Sequence, residues 1–219
     1  MSLHLQREME HLKKQVLSLC AMVEEQVERA VRALVERDQD LARAVEQRDG
    51  DVDRREVEVE EECLKTLALH QPVAIDLRFV VAVLKMNNDL ERVGDLAVNV
   101  ARKAATFASQ PPMEIPFDLP GMWEKTRSML RDSIDALVNR DAALAHNVCA
   151  RDDAVDESKH QIRRSAEEIM QAQPGRIPAL LSLLAVSRNL ERIADHATNI
   201  AEDVIYMVEG RIIRHGATE

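Results

Sequence analysis

The chain contains two diverged copies of one unit, which limits it to folds that can be built twice in tandem. Arg37, Asp38, Leu41, Ala42, Val45, Arg48, Asp49, Val52 and Asp53 recur 103 residues later as Arg140, Asp141, Leu144, Ala145, Val148, Arg151, Asp152, Val155 and Asp156. That is nine identities in 17 positions, where unrelated segments would share about one. LERVGDLAVNVA at 90–101 matches LERIADHATNIA at 190–201 at seven of 12 positions, with an offset of 100. The change of offset predicts a loop three residues shorter in the second copy.

Each copy reads as helix. Leu12, Val16, Leu19, Val23, Val27, Val31 and Leu34 follow one another at steps of three or four, which places them on one face of a long helix. A short helix follows from Asp38 to about Gln47. A second long helix, capped by Asp49 or Asp51, runs to about His70, and a third, with Pro72 in its first turn, reaches about Ala108. Four of the seven prolines, Pro111, Pro112, Pro116 and Pro120, fall between Ser109 and Gly121, and no helix can continue through them. The same order then restarts: Met122 to Asn139, a short piece from Asp141 to about Cys149, Asp152 to about Gln171, and Ile177 to Gly210. The fold class is therefore all-α, with one helical bundle over 1–108, a Pro-rich linker over 109–121 and a second bundle over 122–219. Aromatic residues are only 2% of the chain, so the core must be Leu, Val, Ile, Ala and Met, the stuff of packed helices rather than sheets.

Composition excludes several function classes. A net charge of −10 with no dense Lys/Arg run argues against nucleic acid as a partner. The N-terminal stretch MSLHLQREMEHLKK has no apolar signal region, and the longest apolar run, 177–186, is too short to span a bilayer. Cys20, Cys63 and Cys149 are far apart and odd in number, as expected of small apolar core residues in a reducing compartment. These features point to a cytoplasmic protein. No Ser or Cys stands in an activating context, so no catalytic residue is assigned.

The one candidate for chemistry is a carboxylate stripe in the last helix of each copy. Glu91 and Asp95, and likewise Glu191 and Asp195, are four residues apart and share a helix face, an arrangement that slightly destabilises a helix by repulsion. Asn99 and Asn199 extend the stripes by a turn. Leu190, Ile193, Ala197, Ile200, Val204 and Val208 form the apolar seam that the second stripe borders. Acids at such an edge can meet Asp53 and Asp156 from a neighbouring helix. Oxygen-rich clusters suit hard or borderline divalent cations and ferric iron. The alternative for each stripe is a solvated face paired with Arg92, Arg188 or Arg192; recurrence in both copies favours the metal reading. His196 is a further candidate ligand, weighed against a structural role.

NDLERVGDLAVNVARKA (88–104) and RNLERIADHATNIAEDVIYMVEG (188–210) closely resemble the paired signatures of the PhoU family of phosphate-signalling regulators. His70-Gln71-Pro72 with Asp76-Leu77-Arg78, and the pairs Val52-Asp53 and Val155-Asp156, fit the same family. The resemblance covers residues 5 to 213. It implies two pseudo-symmetric three-helix bundles, each with a short extra helix, and no enzymatic activity. It implies a negative regulator of the phosphate-starvation response, peripheral to the membrane through its partners. Those partners would be the ATP-binding subunit of the phosphate ABC transporter and a phosphate-sensing histidine kinase, with a homodimer as the assembly. It also implies that Glu91, Asp95, Glu191 and Asp195 ligate metal, with Asn99, Asn199, Asp53 and Asp156 as outer candidates and iron, zinc or manganese as candidate ions.

Two other readings remain open. A ferritin-like di-iron enzyme uses Glu-x-x-His pairs. Glu8/His11 and Glu157/His160 have that spacing, but the counterparts of the second pair in the first copy are Arg54 and Val57. A metal-free helical scaffold needs none of the acids.

Overall fold

The computed structural model describes residues 3–210, and among them it is helical with no strand. The helices are α1 (Leu3–Glu36), α2 (Gln39–Gln47), α3 (Asp49–His70), α4 (Ala74–Ala108), α5 (Leu119–Asn139), α6 (Ala142–Cys149), α7 (Asp152–Ala172) and α8 (Ile177–Glu209). A single 3₁₀ turn, Pro174–Arg176, precedes α8. Each half is therefore three long helices and a short one.

The apolar period of α1 is realised: Leu12, Leu19, Val23, Val27 and Leu34 are fully buried. The short helices start where side chains can cap them. Asp38 accepts from the amides of Asp40 and Leu41, and Asp141 from that of Leu144, filling donors that a helix start leaves unpaired.

Three boundaries differ from the sequence reading, and the loop expected to be three residues shorter in the second copy is not: 71–73 joins α3 to α4 and 173–176 joins α7 to α8, so the shortening falls in the helices. Pro72 precedes α4 instead of lying in its first turn, because Gln71 and Ala74 both take positive φ and Val73 is the N-cap. The chain thus turns sharply with no glycine to mark it. Helix α5 starts at Leu119, so only 109–118 lacks regular structure; Pro120 is tolerated in a first turn, where no amide is needed. Neither Asp49 nor Asp51 caps α3: the N-cap position is Arg48, with no side-chain hydrogen bond.

Helices α4 and α8 are the axis of the molecule. Lys85 pairs with Asp203, Asp89 with His196, and Arg78 approaches Gly210. As one number rises the other falls, so the two helices run antiparallel along one another. Helices α1, α2 and α3 pack on α4, while α5, α6 and α7 pack on α8. The buried apolar side chains of both halves merge into one core.

Two repeat-related arginines hold the ends of α4. Arg37 and Arg140 both sit in the left-handed region, at φ of 55° and 56°. Arg37 lies 4.4 Å from the centroid of the Phe107 ring and donates to the carbonyls of Phe107 (2.9 Å) and Gln110 (2.6 Å). A cation there meets the negative end of the helix dipole. Arg140 reaches the other end, with its guanidinium 5.5 Å from the Phe79 centroid and 3.5 Å from Asp76. Replacing either by glycine removes about 1–2 kcal/mol of left-handed strain. At Arg37 the lost charge-assisted bonds, about 1.5–3 kcal/mol each, outweigh that relief. Chemical denaturation should therefore show Arg37→Gly destabilising by about 1–3 kcal/mol and Arg140→Gly within about 1 kcal/mol of wild type. Equal effects at the two positions would contradict this asymmetry.

Candidate functional site

The first turn of α3 packs beside the middle of α4, and this brings four carboxylates together. Asp49 and Asp53 are one turn apart on α3; Glu91 and Asp95 are one turn apart on α4. Their charges feel one another. The Glu91 carboxyl is raised above its ordinary range by burial first, then by Asp95, Asp53 and Asp49, with Arg92 opposing. Asp49 is raised by burial, against a hydrogen bond from Gln26, and then by Asp53 and Asp95. Glu56 is raised by burial and by Glu60, Glu91 and Asp53.

The second half repeats the arrangement with Asp152 and Asp156 on α7 and Glu191 and Asp195 on α8. Asp152 accepts from the Thr198 hydroxyl at 3.2 Å. Its carboxyl is raised by burial and then by Asp156, Asp153 and Glu191, the Thr198 bond opposing. Asp195 is pushed up to about 6 by desolvation of its carboxyl and then by Glu191, Asp152 and Asp156. The residue as a whole is solvent-exposed, so the crowding of like charge is the firmer cause.

Asp53 and Asp156 thus do join the E-x-x-x-D pairs electrostatically. Asp49 and Asp152 complete each cluster and were missed as ligand candidates. The signal was present, since Asp49/Asp53 and Asp152/Asp156 have the same four-residue spacing and recur in the repeat; Asp49 was read as a cap instead. Neither asparagine hydrogen-bonds to its cluster. Asn199 reaches Asp89 at 3.5 Å, and Asn99 is half-buried on α4.

The cations at the two clusters differ. Arg92, largely exposed, lies 3.4 Å from Glu91 and 3.3 Å from Asp95. In the second cluster Lys159 inserts its ammonium between Asp156 (3.0 Å) and Glu191 (2.7 Å). Among the described residues, no three His, Cys, Asp or Glu side chains converge as a ready metal cage. The donor chemistry fits a hard cation; the rotamers would have to turn inward to hold one.

Other candidates find ordinary roles. His196 Nδ1 lies 2.8 Å from Asp89 Oδ1 and ties α8 to α4. Glu157 pairs with Arg164 at 3.0 Å and accepts from Gln161, which lowers its carboxyl. Glu157 and His160 are exposed, and so is His11 beside a half-buried Glu8, so neither Glu-x-x-His pair turns both of its ligands into a bundle interior as a di-iron site requires. Cys20 and Cys63 are buried and Cys149 half-buried, all as free thiols. Burial pushes the Cys63 thiol up to about 12 and that of Cys149 to about 11, the behaviour of inert core residues. No helix among the described residues is long and apolar enough to cross a membrane.

The family model of the PhoU domain matches the chain twice, over residues 16–104 and 119–204. The chain belongs to the PhoU family. A relative from Aquifex aeolicus, named phosphate-specific transport system accessory protein PhoU homolog, is 38% identical over 209 residues, 95% of both chains. The crystal structure of PhoU from Pseudomonas aeruginosa superimposes with a TM-score of 0.88 at 36% identity, covering 94% of this chain and 99% of that one. The phosphate transport system regulatory protein PhoU from Streptococcus pneumoniae gives 0.87 at 28% identity, covering 95% and 98%. The duplicated helical unit is thus the PhoU domain, and the two acidic clusters sit at equivalent places in its two copies.

The crowding of carboxylates in this PhoU chain has a pH signature. A carboxyl raised in the native state binds its proton more tightly folded than unfolded, so stability falls as pH rises from the unfolded value, about 4, through the folded one. For Asp195 the fall runs to about 6. In metal-free buffer Asp195→Asn should therefore raise the melting temperature at pH 7.5, with the gain shrinking as pH drops to 4. A variant no more stable than wild type at pH 7.5 would contradict the repulsion.

Proposed function

We propose that this PhoU-family chain is an accessory regulator of phosphate uptake that restrains the phosphate-starvation response while phosphate is plentiful. The observation that carries this reading is the double match to the PhoU domain, together with near full-length likeness to proteins named accessory or regulatory for phosphate transport. A non-catalytic role agrees with those names. We place the protein in the cytoplasm, bound to the ATP-binding subunit of the phosphate ABC transporter and to a phosphate-sensing histidine kinase. The corner between α3 and α4 supports a docking role, since Leu69 and Val73 there are 68% and 74% exposed and such side chains favour contact with another protein. Regulation then requires two states with unequal affinity for the two partners. A homodimer is proposed on the family likeness.

Metal binding at the acidic clusters is part of the same proposal. A hard or borderline cation held there by Glu91, Asp95, Asp49 and Asp53, or by the second set, would neutralise carboxylates that otherwise repel. The chain's own residues supply the rest: Gln26 and Thr198 orient Asp49 and Asp152 through hydrogen bonds.

Two measurements test the proposal. Affinity capture of the chain from its own phosphate-replete cells, scored by mass spectrometry, should recover the transporter's ATP-binding subunit or the kinase; recovery of neither, where both are expressed, would overturn the regulatory reading. Asp95→Asn combined with Asp195→Asn should remove most bound metal, and unchanged metal content would overturn the ligand assignment. If chelation of the wild type alters neither partner capture nor stability, the metal-free scaffold is the better account.

A further inference from the structure

The two acidic clusters are repeat-related, yet the residues around them have diverged in opposite directions. At the offset of 103, Glu56 and Glu60 of α3 correspond to Lys159 and Arg163 of α7; at the offset of 100, Asn88 corresponds to Arg188. The groove over the second cluster is lined by Lys159, Arg163, Arg188 and Arg192 against Glu167, Glu191 and Asp195. The corresponding positions of the first half carry one cation, Arg92, against four carboxylates.

Beneath the clusters the divergence continues. Gln26 is only 5% exposed; its Nε2 donates to Asp49 Oδ1 at 3.3 Å, and its Oε1 is buried with no partner. An unpartnered buried oxygen is costly. A Cβ at Gly94 would stand at an ordinary 3.5 Å from that Oε1 and a tight 3.2 Å from Val52, so the glycine serves the close packing of α3 on α4. The second half has Met129 and Ala194 at these positions, both buried. The first cluster therefore has a spare amide oxygen at its floor and the second an apolar one.

We propose that the two sites have parted company: the first cluster takes a divalent cation from solution, whereas in the second the Lys159 ammonium is the cation and no metal loads. This rests on the metal reading above. Lys159 is tethered within reach of both Asp156 and Glu191, so a metal ion would have to displace a charge of its own sign that is always present. Glu56, in the equivalent place, is instead turned to Asn87, whose Nδ2 donates to it at 2.6 Å, and adds negative charge to the first site.

The test is equilibrium dialysis of the metal-stripped full chain against Mn²⁺, with bound metal counted by mass spectrometry. Asp95→Asn should abolish loading, Asp195→Asn should leave it unchanged, and Gln26→Leu should weaken it without removing a carboxylate. Lys159→Glu should raise metal per chain about twofold, and adding Asp195→Asn should cancel that gain. Lys159→Met provides the same opening with less added charge if the glutamate variant does not fold. Wild-type loading that Asp195→Asn reduces as much as Asp95→Asn would overturn this inference alone, as would folded Lys159 variants that gain no metal. A wild type that binds no Mn²⁺ would overturn the metal reading and this inference with it.

Discussion

The antiparallel seam between α4 and α8 is the contact on which the rest depends. Each half presents its other helices to its own central helix, and each central helix finds its remaining partner only in the other half. Leu90, Val93, Ala97, Leu190, Ile193 and Ala197 are all fully buried, so neither half could expose its central helix without losing a large apolar area. Polar links fix the register. Lys85 meets the buried Asp203 carboxylate at 3.2 Å, and Asp89 meets His196 at 2.8 Å. A buried carboxylate without its cation is strongly penalised, so such pairs specify alignment even when they add little net stability.

From this seam follows the placement of the acidic clusters. Their Glu and Asp pairs border it on the same helices that join the halves, at repeat-equivalent positions. Like charges at that spacing oppose the native state. The cost is met differently in the two halves: Lys159 offsets it from within, while at the first cluster Arg92 pairs from an exposed position, Arg102 acts on Asp49 and a buried amide lies beneath.

Much of this was legible in the residues. The 3–4 spacing from Leu12 to Leu34 and the capping aspartates Asp38 and Asp141 gave helices and starts because both are local effects. The corner at 71–74 was misplaced because Gln71 and Ala74 adopt positive φ without the glycine that would announce it. The E-x-x-x-D pairs were visible by periodicity, but Asp49 was read as a cap, the commoner role of an aspartate at a helix start. The link between Asp89 and His196 could not be read, because it depends on the register of two helices 107 positions apart. The exchange of Glu56 for Lys159 stood in the repeat alignment from the start; its meaning needed the distances.

The most direct measurement is residue-resolved native-state hydrogen exchange of the metal-free chain. If α4 and α8 share one core, the slowest amides of both helices should open with the same free energy, equal to that of global unfolding. Helices that open at distinct free energies, one half unfolding while the other stays protected, would contradict the account.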